Sequence, residues 1–293
     1  VERAGKQIKE AFQYYVPEQV VDEILKNPSM LTLGGDRKEV TILFSDIKGF
    51  TSLSEELSPE ELVNILNEYL SVMTDVVFSH RGLLDKYIGD AIMAVYGAPL
   101  PQPDHPMQAC TTALDMMAEL DRLMARWKTM GRPAFSIRIG INTGYAAVGN
   151  MGSRKRFDYT VMGDAVNLAS RLENLNKQYE TVCLVTEYTY RRVKDEISFR
   201  ELDLVRVRGK HIPEKIYEMI GRKGQFPDRE EAAARFEHGL ALVRSRRWEE
   251  ALTLFESIRR EFPGDVPTQM YLSRIRQALT NPPPADWDGV FLS

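Results

Sequence analysis

A strongly basic stretch is missing from this chain. Lys and Arg number 38 against 42 Asp and Glu, a formal charge of −4 over 293 residues. No cationic stripe stands out, which sets duplex nucleic acid aside as a partner. Long apolar runs are missing too. The longest are strand-sized, far short of the ~20 residues that a membrane span requires, and no segment of the sequence reads as a cleavable signal peptide. Cysteine is scarce: Cys110 and Cys183 each sit inside an apolar pattern, as buried thiols in a reducing compartment do, so no disulfide is expected. What is plentiful is apolar residue. At 43% hydrophobic the chain can build a packed core, which excludes global disorder. Its length suits one large domain plus a small one, or two of middling size. An opening Val1 rather than Met is expected of a piece of something longer, with a membrane segment or sensor upstream.

Three regions differ in texture. Residues 1–36 read as helical, with Pro17 opening a helix over Pro17–Lys26, Asn27-Pro28 closing it and Gly34-Gly35 as a hinge. Residues 37–222 alternate strand and helix patterns. Glu39–Ser45 reads as a buried strand, and Pro59–Ser79 as a long helix with an apolar stripe through Leu62, Ile65, Leu66, Tyr69 and Val72. A hairpin over Leu83–Tyr96 and a helix over Asp104–Trp127 follow, then a second hairpin over Phe135–Asn150 and a helix over Asp164–Lys177. Strands are expected at Val182–Thr186, Ser198–Val207 and Lys215–Ile220. The mixture predicts an α+β sandwich with helices on one sheet face. From Asp228 the pattern is wholly helical. Gly239, Ala251, Phe255 and Pro263 fall at the offsets of a tetratricopeptide repeat, and Val266–Leu279 supplies a further helix. A plain helical hairpin gives the same pattern. One repeat cannot bury its own apolar face, so residues 228–281 should dock on the preceding domain, a second chain or a protein partner. The tail, 282–293, has little to hold it.

Three stretches carry chemistry. In Phe44-Ser45-Asp46-Ile47-Lys48-Gly49-Phe50-Thr51 an aspartate ends a buried strand before a Gly-containing turn. Backbone N–H groups at such a turn can cradle phosphate, but a carboxylate there repels a nucleotide unless a divalent cation lies between them. The bland alternative is a turn-forming Asp. In Asp85-Lys86-Tyr87-Ile88-Gly89-Asp90 the Gly-Asp pair is an ordinary tight-turn signal. Lys86 alternates with Leu84 and Ile88, which puts it on an apolar face or leaves it snorkelling to water. In Thr160-Val161-Met162-Gly163-Asp164-Ala165-Val166-Asn167 and on to Arg171, Asp164 is a natural N-cap. Asn167 and Arg171, four apart, share one helix face, where they could hold a ribose and a phosphate or simply meet solvent.

Taken jointly, strand–Asp–turn–Phe-Thr, Lys-x-x-Gly-Asp and Thr-x-x-Gly-Asp-x-x-Asn-x-x-x-Arg resemble the catalytic domain of class III adenylyl cyclases, from about Lys38 to Ile220. The resemblance implies a ferredoxin-like α+β fold with a mixed sheet, preceded by a short helical transducer and followed by a small all-α tail. It implies ATP as substrate and two Mg²⁺ or Mn²⁺ ions per active site, held by Asp46, Asp90 and the backbone of Ile47. Lys86 matches the lysine that donates to the adenine ring, and Thr160 the residue that accepts from the 6-amino group. Threonine there is similar to the subclass often described as bicarbonate-responsive. Asn167 matches the ribose-orienting residue, Arg171 the transition-state arginine, and Lys210 a lysine on the terminal phosphates. Phe50 and Thr51 fall among the substrate-binding positions. The family implies a head-to-tail homodimer with composite sites, metal residues coming from one chain and base-selecting residues from the other. The tail is similar to that of cyclases that are the cytoplasmic part of a membrane-anchored protein, with the membrane reached only through regions outside this chain.

Two rivals share parts of this pattern. A guanylyl cyclase needs an acidic acceptor where Lys86 stands. A diguanylate cyclase is echoed only superficially by Gly34-Gly35-Asp36. A third reading, a non-catalytic nucleotide sensor acting through the helical tail, is at odds with a complete set of Asp46, Asp90, Asn167 and Arg171.

Overall fold

The computed structural model describes Lys26, residues 33–206 and residues 213–291. The expected helix Pro17–Lys26, Lys26 apart, lies outside the described residues with the rest of the transducer segment up to residue 32, and so does Lys210. The chain forms two compact units, divided after Glu173.

The first unit is organised by β1 (Gly34–Ile47), in which every residue from Val40 to Ser45 is buried. A buried run without alternation belongs to a strand covered on both faces. β1 pairs antiparallel with β3 (Ala91–Tyr96), from Thr41 opposite Tyr96 to Ser45 opposite Ile92. On its other edge it pairs with β4 (Ile137–Ser153), from Gly34 opposite Asn150 to Ile47 opposite Ile137. β2 (Leu83–Ile88) forms a hairpin with β3, and β5 (Arg156–Met162) folds back on β4. Two expectations change here. Gly34-Gly35 is strand rather than hinge, and Phe135–Asn150 is no hairpin but most of the single strand β4, whose hairpin partner is β5.

Four helices begin in this unit: α1 (Phe50–Glu56), α2 (Pro59–Ser79), α3 (His105–Thr129) and α4 (Asp164–Tyr179). The bounds of α2 follow from a capping box. The Ser58 hydroxyl accepts the Glu61 N–H at 3.3 Å, the Glu61 carboxylate accepts the Ser58 N–H at 3.1 Å, and Pro59 takes the first helical position. Asp164 is itself the first helical residue rather than the cap. Alternate residues of β1 meet different helices. Thr41 Oγ1 bonds to His105 Nδ1 of α3 at 2.8 Å, and Ser45 Oγ lies 3.5 Å from the Tyr69 hydroxyl of α2. Val40, Ile42 and Phe44 share a core with Ala165 and Ala169 of α4. Helices therefore cover both faces of β1, not the single face expected.

The seat of α4 is a pair of glycines. A Cβ on Gly140 would lie 2.3 Å from both the Ala169 carbonyl oxygen and the Glu173 nitrogen, and one on Gly144 would lie 3.1 Å from the Ala165 Cβ. Between them Asn142 Nδ2 donates to the Ala165 carbonyl at 2.8 Å. The role of these small residues is to let a helix backbone touch a strand backbone. Gly140→Ala is therefore expected to cost ~1–3 kcal/mol or more, because backbone and not a flexible side chain must move, with Gly144→Ala milder. Urea midpoints of the two variants check the order.

The second unit holds three antiparallel strands in the order β6-β8-β7, with β6 at Cys183–Thr186, β7 at Ile197–Val205 and β8 at Glu214–Arg222. A short helix, α5 (Glu187–Val193), was not expected from the sequence. Three longer ones follow: α6 (Pro227–Arg244), α7 (Trp248–Glu261) and α8 (Val266–Thr280). Gly239 lies under the Phe255 ring, where a Cβ would come within 2.6 Å, and Phe236, Phe255 and Tyr271 form an aromatic core. The expected docking is found within this unit, on β7. Asp203 of β7 is 2% exposed and accepts from the Tyr179, Tyr271 and Arg274 side chains, each at 2.7 Å. Arg200 of β7 meets both Glu218 of β8 and Asp265 at the start of α8, at 2.9 Å each. Burial and the Asp203 charge hold the Tyr179 hydroxyl protonated far above its usual range. The tail is also held. Trp287 Nε1 donates to the Val290 carbonyl at 2.7 Å, and the rings of Trp287 and Phe291 pack on Trp248 and Tyr271.

Both cysteines are buried and neither forms a disulfide, and burial pushes the Cys110 thiol up to about 12. Among the described residues no helix is long and apolar enough to cross a membrane. Asp203→Ala leaves Arg274 buried beside two tyrosines without its carboxylate, so it should lose ~3–5 kcal/mol of stability, read as a lowered denaturation midpoint.

Candidate active site

Two acidic groups meet at one end of β1. Asp46 is the penultimate residue of that strand, and Asp90 stands in the two-residue turn between β2 and β3, where Gly89 takes the left-handed conformation at φ 65°. The Ile47 N–H donates to Asp90 Oδ2 at 3.0 Å and ties the turn to the strand end. The Tyr69 hydroxyl reports the field there. Its ionisation is pushed up first by burial, against the Ser45 hydrogen bond, and further by the charges of Asp90 and Asp46. Two carboxylates beside the Ile47 backbone carbonyl form a hard, all-oxygen donor set, which fits Mg²⁺ or Mn²⁺ rather than a thiolate- or imidazole-seeking metal. Among the described residues no group of three or more His, Cys, Asp or Glu side chains could hold a metal. Any cation here would therefore complete its shell with water, backbone or a bound phosphate, as Mg²⁺ commonly does.

Beyond Ile47 the chain turns through Gly49 at φ 78° into α1, which Phe50 and Thr51 open. Phe50 is half-buried and Thr51 exposed.

A second polar cluster joins β2 to β5. The ladder between β2 and β3 slips between Leu84 and Lys86, a bulge centred on Asp85. Bulges re-aim side chains. The Asp85 carboxylate is only 1% exposed, while Lys86 is 41% exposed and Ile88, 53% exposed, lies on no apolar face with it. The apolar-face expectation for Lys86 therefore falls, because the alternation it used is broken by the bulge. Thr160 of β5 is buried and its hydroxyl donates to Asp85 Oδ2 at 2.5 Å, with Lys86 Nζ 3.4 Å from Oδ1. Burial raises the Asp85 carboxyl above the usual carboxylate range, opposed by the Thr160 hydroxyl, the Lys86 charge and the Val161 N–H. Asp85 was missed in the sequence. Its only signal was adjacency to Lys86, and without the bulge nothing marks it as inward.

Asn167 and Arg171 stand one turn apart on α4, Asn167 exposed and Arg171 half-buried. Only Gly163, at φ 141°, separates β5 from α4, and its carbonyl accepts the Val166 and Asn167 N–H groups at 3.1 and 3.3 Å. The structure thus joins Asp46 with Asp90, and Lys86 with Thr160, while Asn167 and Arg171 follow Thr160 along the chain. A carboxylate pair for cations, a donor–acceptor edge for a base, and an amide and guanidinium on a helix suit a nucleoside triphosphate.

Comparison with known proteins agrees. Residues 35–221 match the family described as "Adenylate and Guanylate cyclase catalytic domain". Adenylate cyclase 1 of Rhizobium meliloti is 38% identical over 210 residues, covering 72% of this chain and 32% of that protein. The chain thus spans about a third of that relative. Among solved structures, the adenylyl cyclase CyaB from P. aeruginosa matches at 38% identity and TM-score 0.62, covering 66% of this chain and 98% of that one. The guanylyl cyclase Cya2 matches at 36% identity and TM-score 0.61, with the same coverages. The chain belongs to the adenylate and guanylate cyclase catalytic domain family.

Proposed function

We propose that this chain is an adenylyl cyclase, converting ATP to 3′,5′-cyclic AMP and pyrophosphate, and that it is the cytoplasmic output of a longer signalling protein. The observation that carries the choice of ATP is the Lys86–Thr160 edge. An ammonium donor beside a hydroxyl oxygen suits adenine, whose N1 accepts and whose 6-amino group donates. Guanine presents N1–H and O6, the reverse order, and calls for an acceptor where Lys86 stands. Overall likeness does not choose, since an adenylyl and a guanylyl cyclase structure match almost equally well.

The reaction is in-line attack of the ribose 3′-oxygen on the α-phosphorus, with pyrophosphate leaving. Asp46, Asp90 and the Ile47 carbonyl would hold two divalent ions, which when bound would supply Lewis-acid stabilisation of the charge that develops on oxygen. Asn167 fixes the sugar in the attacking pose, and Arg171 meets charge growing at the α-phosphate. Phe50 and Thr51 contact the bound nucleotide, and Lys210 its terminal phosphates. No side chain of the set is an evident general base.

The active unit in this reading is a homodimer with composite sites. Exposed apolar residues flank the base edge and support it: Tyr87 and Ile88 on β2, and Met162 on β5, which is 55% exposed. Lys86 and Thr160 at the base edge support membership of the Lys/Thr subclass. The helices from α6 to α8 are read as tetratricopeptide-like, a structural module with an outer face open to a protein partner. The domain limits follow the motifs: transducer 1–36, catalytic domain 37–222, helical segment 228–281 and tail 282–293.

Asp46→Ala and Asp90→Ala should each fold yet lose at least ~10³-fold in the rate of cyclic AMP formation. Near-normal turnover by either variant would remove the metal assignment. Manganese titration without nucleotide, followed by electron spin resonance, should show binding to the wild type and weakened binding to both variants.

Composite sites make a sharper prediction. Asp46→Ala and Arg171→Ala homodimers should both be nearly inactive, since every site lacks one group. In a mixed dimer one site carries both defects and the other neither. Activity should return on mixing, up to about a quarter of wild type if subunits exchange at random, and should fall on dilution. No recovery despite demonstrated exchange excludes the model.

A further inference from the structure

A hydroxyl is an ambiguous reader of a base edge. Thr160 Oγ1 carries one proton and two lone pairs, so a free threonine could accept from adenine's 6-amino group or donate to guanine's O6. We propose that Asp85 removes this ambiguity and is a specificity-determining positioning residue: by taking the single Thr160 proton, it leaves that oxygen only lone pairs with which to meet a base. This rests on the reading of Lys86 and Thr160 as the base edge.

Four observations support it. The Thr160 hydroxyl lies 2.5 Å from Asp85 Oδ2, and an ionised carboxylate can only accept, so the proton direction is fixed. Asp85 is 1% exposed and Thr160 is buried, so water does not compete for that proton. Lys86 Nζ lies 3.4 Å from the other carboxylate oxygen, and the Val161 N–H also reaches the carboxylate, so cationic and donor groups offset part of the cost of its burial. The bulge at Asp85 directs the carboxylate inward while the next residue, Lys86, stays 41% exposed and free to reach a ligand. One buried carboxylate thus holds an edge of one donor, Lys86, and one acceptor, Thr160. Against adenine both positions pair. Against guanine or hypoxanthine, ammonium faces N1–H and lone pairs face O6, so both positions repel.

Asp85 could instead serve only to pin β2 to β5. The two roles separate in the selectivity ratio, kcat/KM for ATP over kcat/KM for inosine triphosphate, which keeps O6 and N1–H without guanine's 2-amino group. Measured on the full chain, wild type should prefer ATP, and Thr160→Val should reduce that preference by removing the acceptor. Asp85→Ala should lower the ratio at least ~10-fold, because the released hydroxyl can now turn and donate to O6. A purely structural residue would lower both kcat/KM values in parallel and leave the ratio unchanged, which overturns the proposal. Should Asp85→Ala not fold, Asp85→Asn keeps the shape while replacing a pure acceptor by an amide. A threefold or greater fall of the ratio supports the proposal, and an unchanged ratio overturns it. If wild type shows no preference, or Thr160→Val leaves it intact, the base-edge reading fails and this proposal with it. If Thr160→Val collapses the ratio while the Asp85 variants do not, the proposal alone is overturned.

Discussion

A helix can lie against a strand only as closely as the side chains between them allow. At Gly140 of β4 there is no side chain, and the α4 backbone occupies the space where a Cβ would be. Much of the first unit follows from this contact. β4 is the ruler along which the candidate site is laid out: Asp46 pairs with its Arg138, α4 rests on Gly140 and Gly144, and Thr160 pairs with Gly149. A strand held in register by β1 over its full length cannot slide, since a one-residue slip would turn every buried side chain to the wrong face. The positions of Asp46, Thr160 and the first turns of α4 are thereby coupled through one strand.

Buried charge is handled in two ways, and the contrast separates scaffold from site. Asp203 accepts from two tyrosines and an arginine, all directed at it by packed elements of the second unit. Arg200 is likewise enclosed by Glu218 and Asp265, with the Phe236 ring beneath its guanidinium. Such saturated groups have nothing left to offer a ligand. Asp85 is as deeply buried, but its partners are a lysine that reaches solvent and a threonine with unused lone pairs. The charge is satisfied by residues that retain binding capacity, which is the arrangement perturbed titration at functional sites commonly marks.

The parts of the molecule legible in the sequence are those specified locally. Ser58, Pro59 and Glu61 announce the start of α2, and its bounds Pro59–Ser79 are read directly. Gly89-Asp90 announces the β2–β3 turn. The spacing of Asp46, Asp90, Lys86, Thr160, Asn167 and Arg171 was legible as a joint pattern, although each alone had an ordinary structural explanation. What was not legible depends on partners distant along the chain. Gly34 and Gly35 look like a hinge until Asn150 and Gly149 are found opposite them. Phe135–Asn150 looks like a hairpin until β1 is found paired along it. The tail after Pro284 looks unsupported because Trp287 and Phe291 find their neighbours, Trp248 and Tyr271, only in three dimensions. The bulge at Asp85 is of the same kind: alternation of Leu84, Lys86 and Ile88 is a valid local rule that one inserted residue in the ladder defeats.

Overall resemblance and base choice therefore occupy different levels of the molecule. The fold is specified by scores of buried apolar contacts, and it is matched almost equally by an adenylyl and a guanylyl cyclase. Discrimination between two purines, by contrast, turns on the donor or acceptor character of two or three polar atoms. Such a difference leaves no trace in a backbone comparison, because exchanging a donor for an acceptor need not move a strand. It can still be worth orders of magnitude in rate, since a mispaired polar group in a closed site loses its water without gaining a partner. In the proposed reading, the identity of the substrate is carried by the hydrogen-bond polarity of the edge that Asp85, Lys86 and Thr160 build, and a carboxylate that never touches the base decides it.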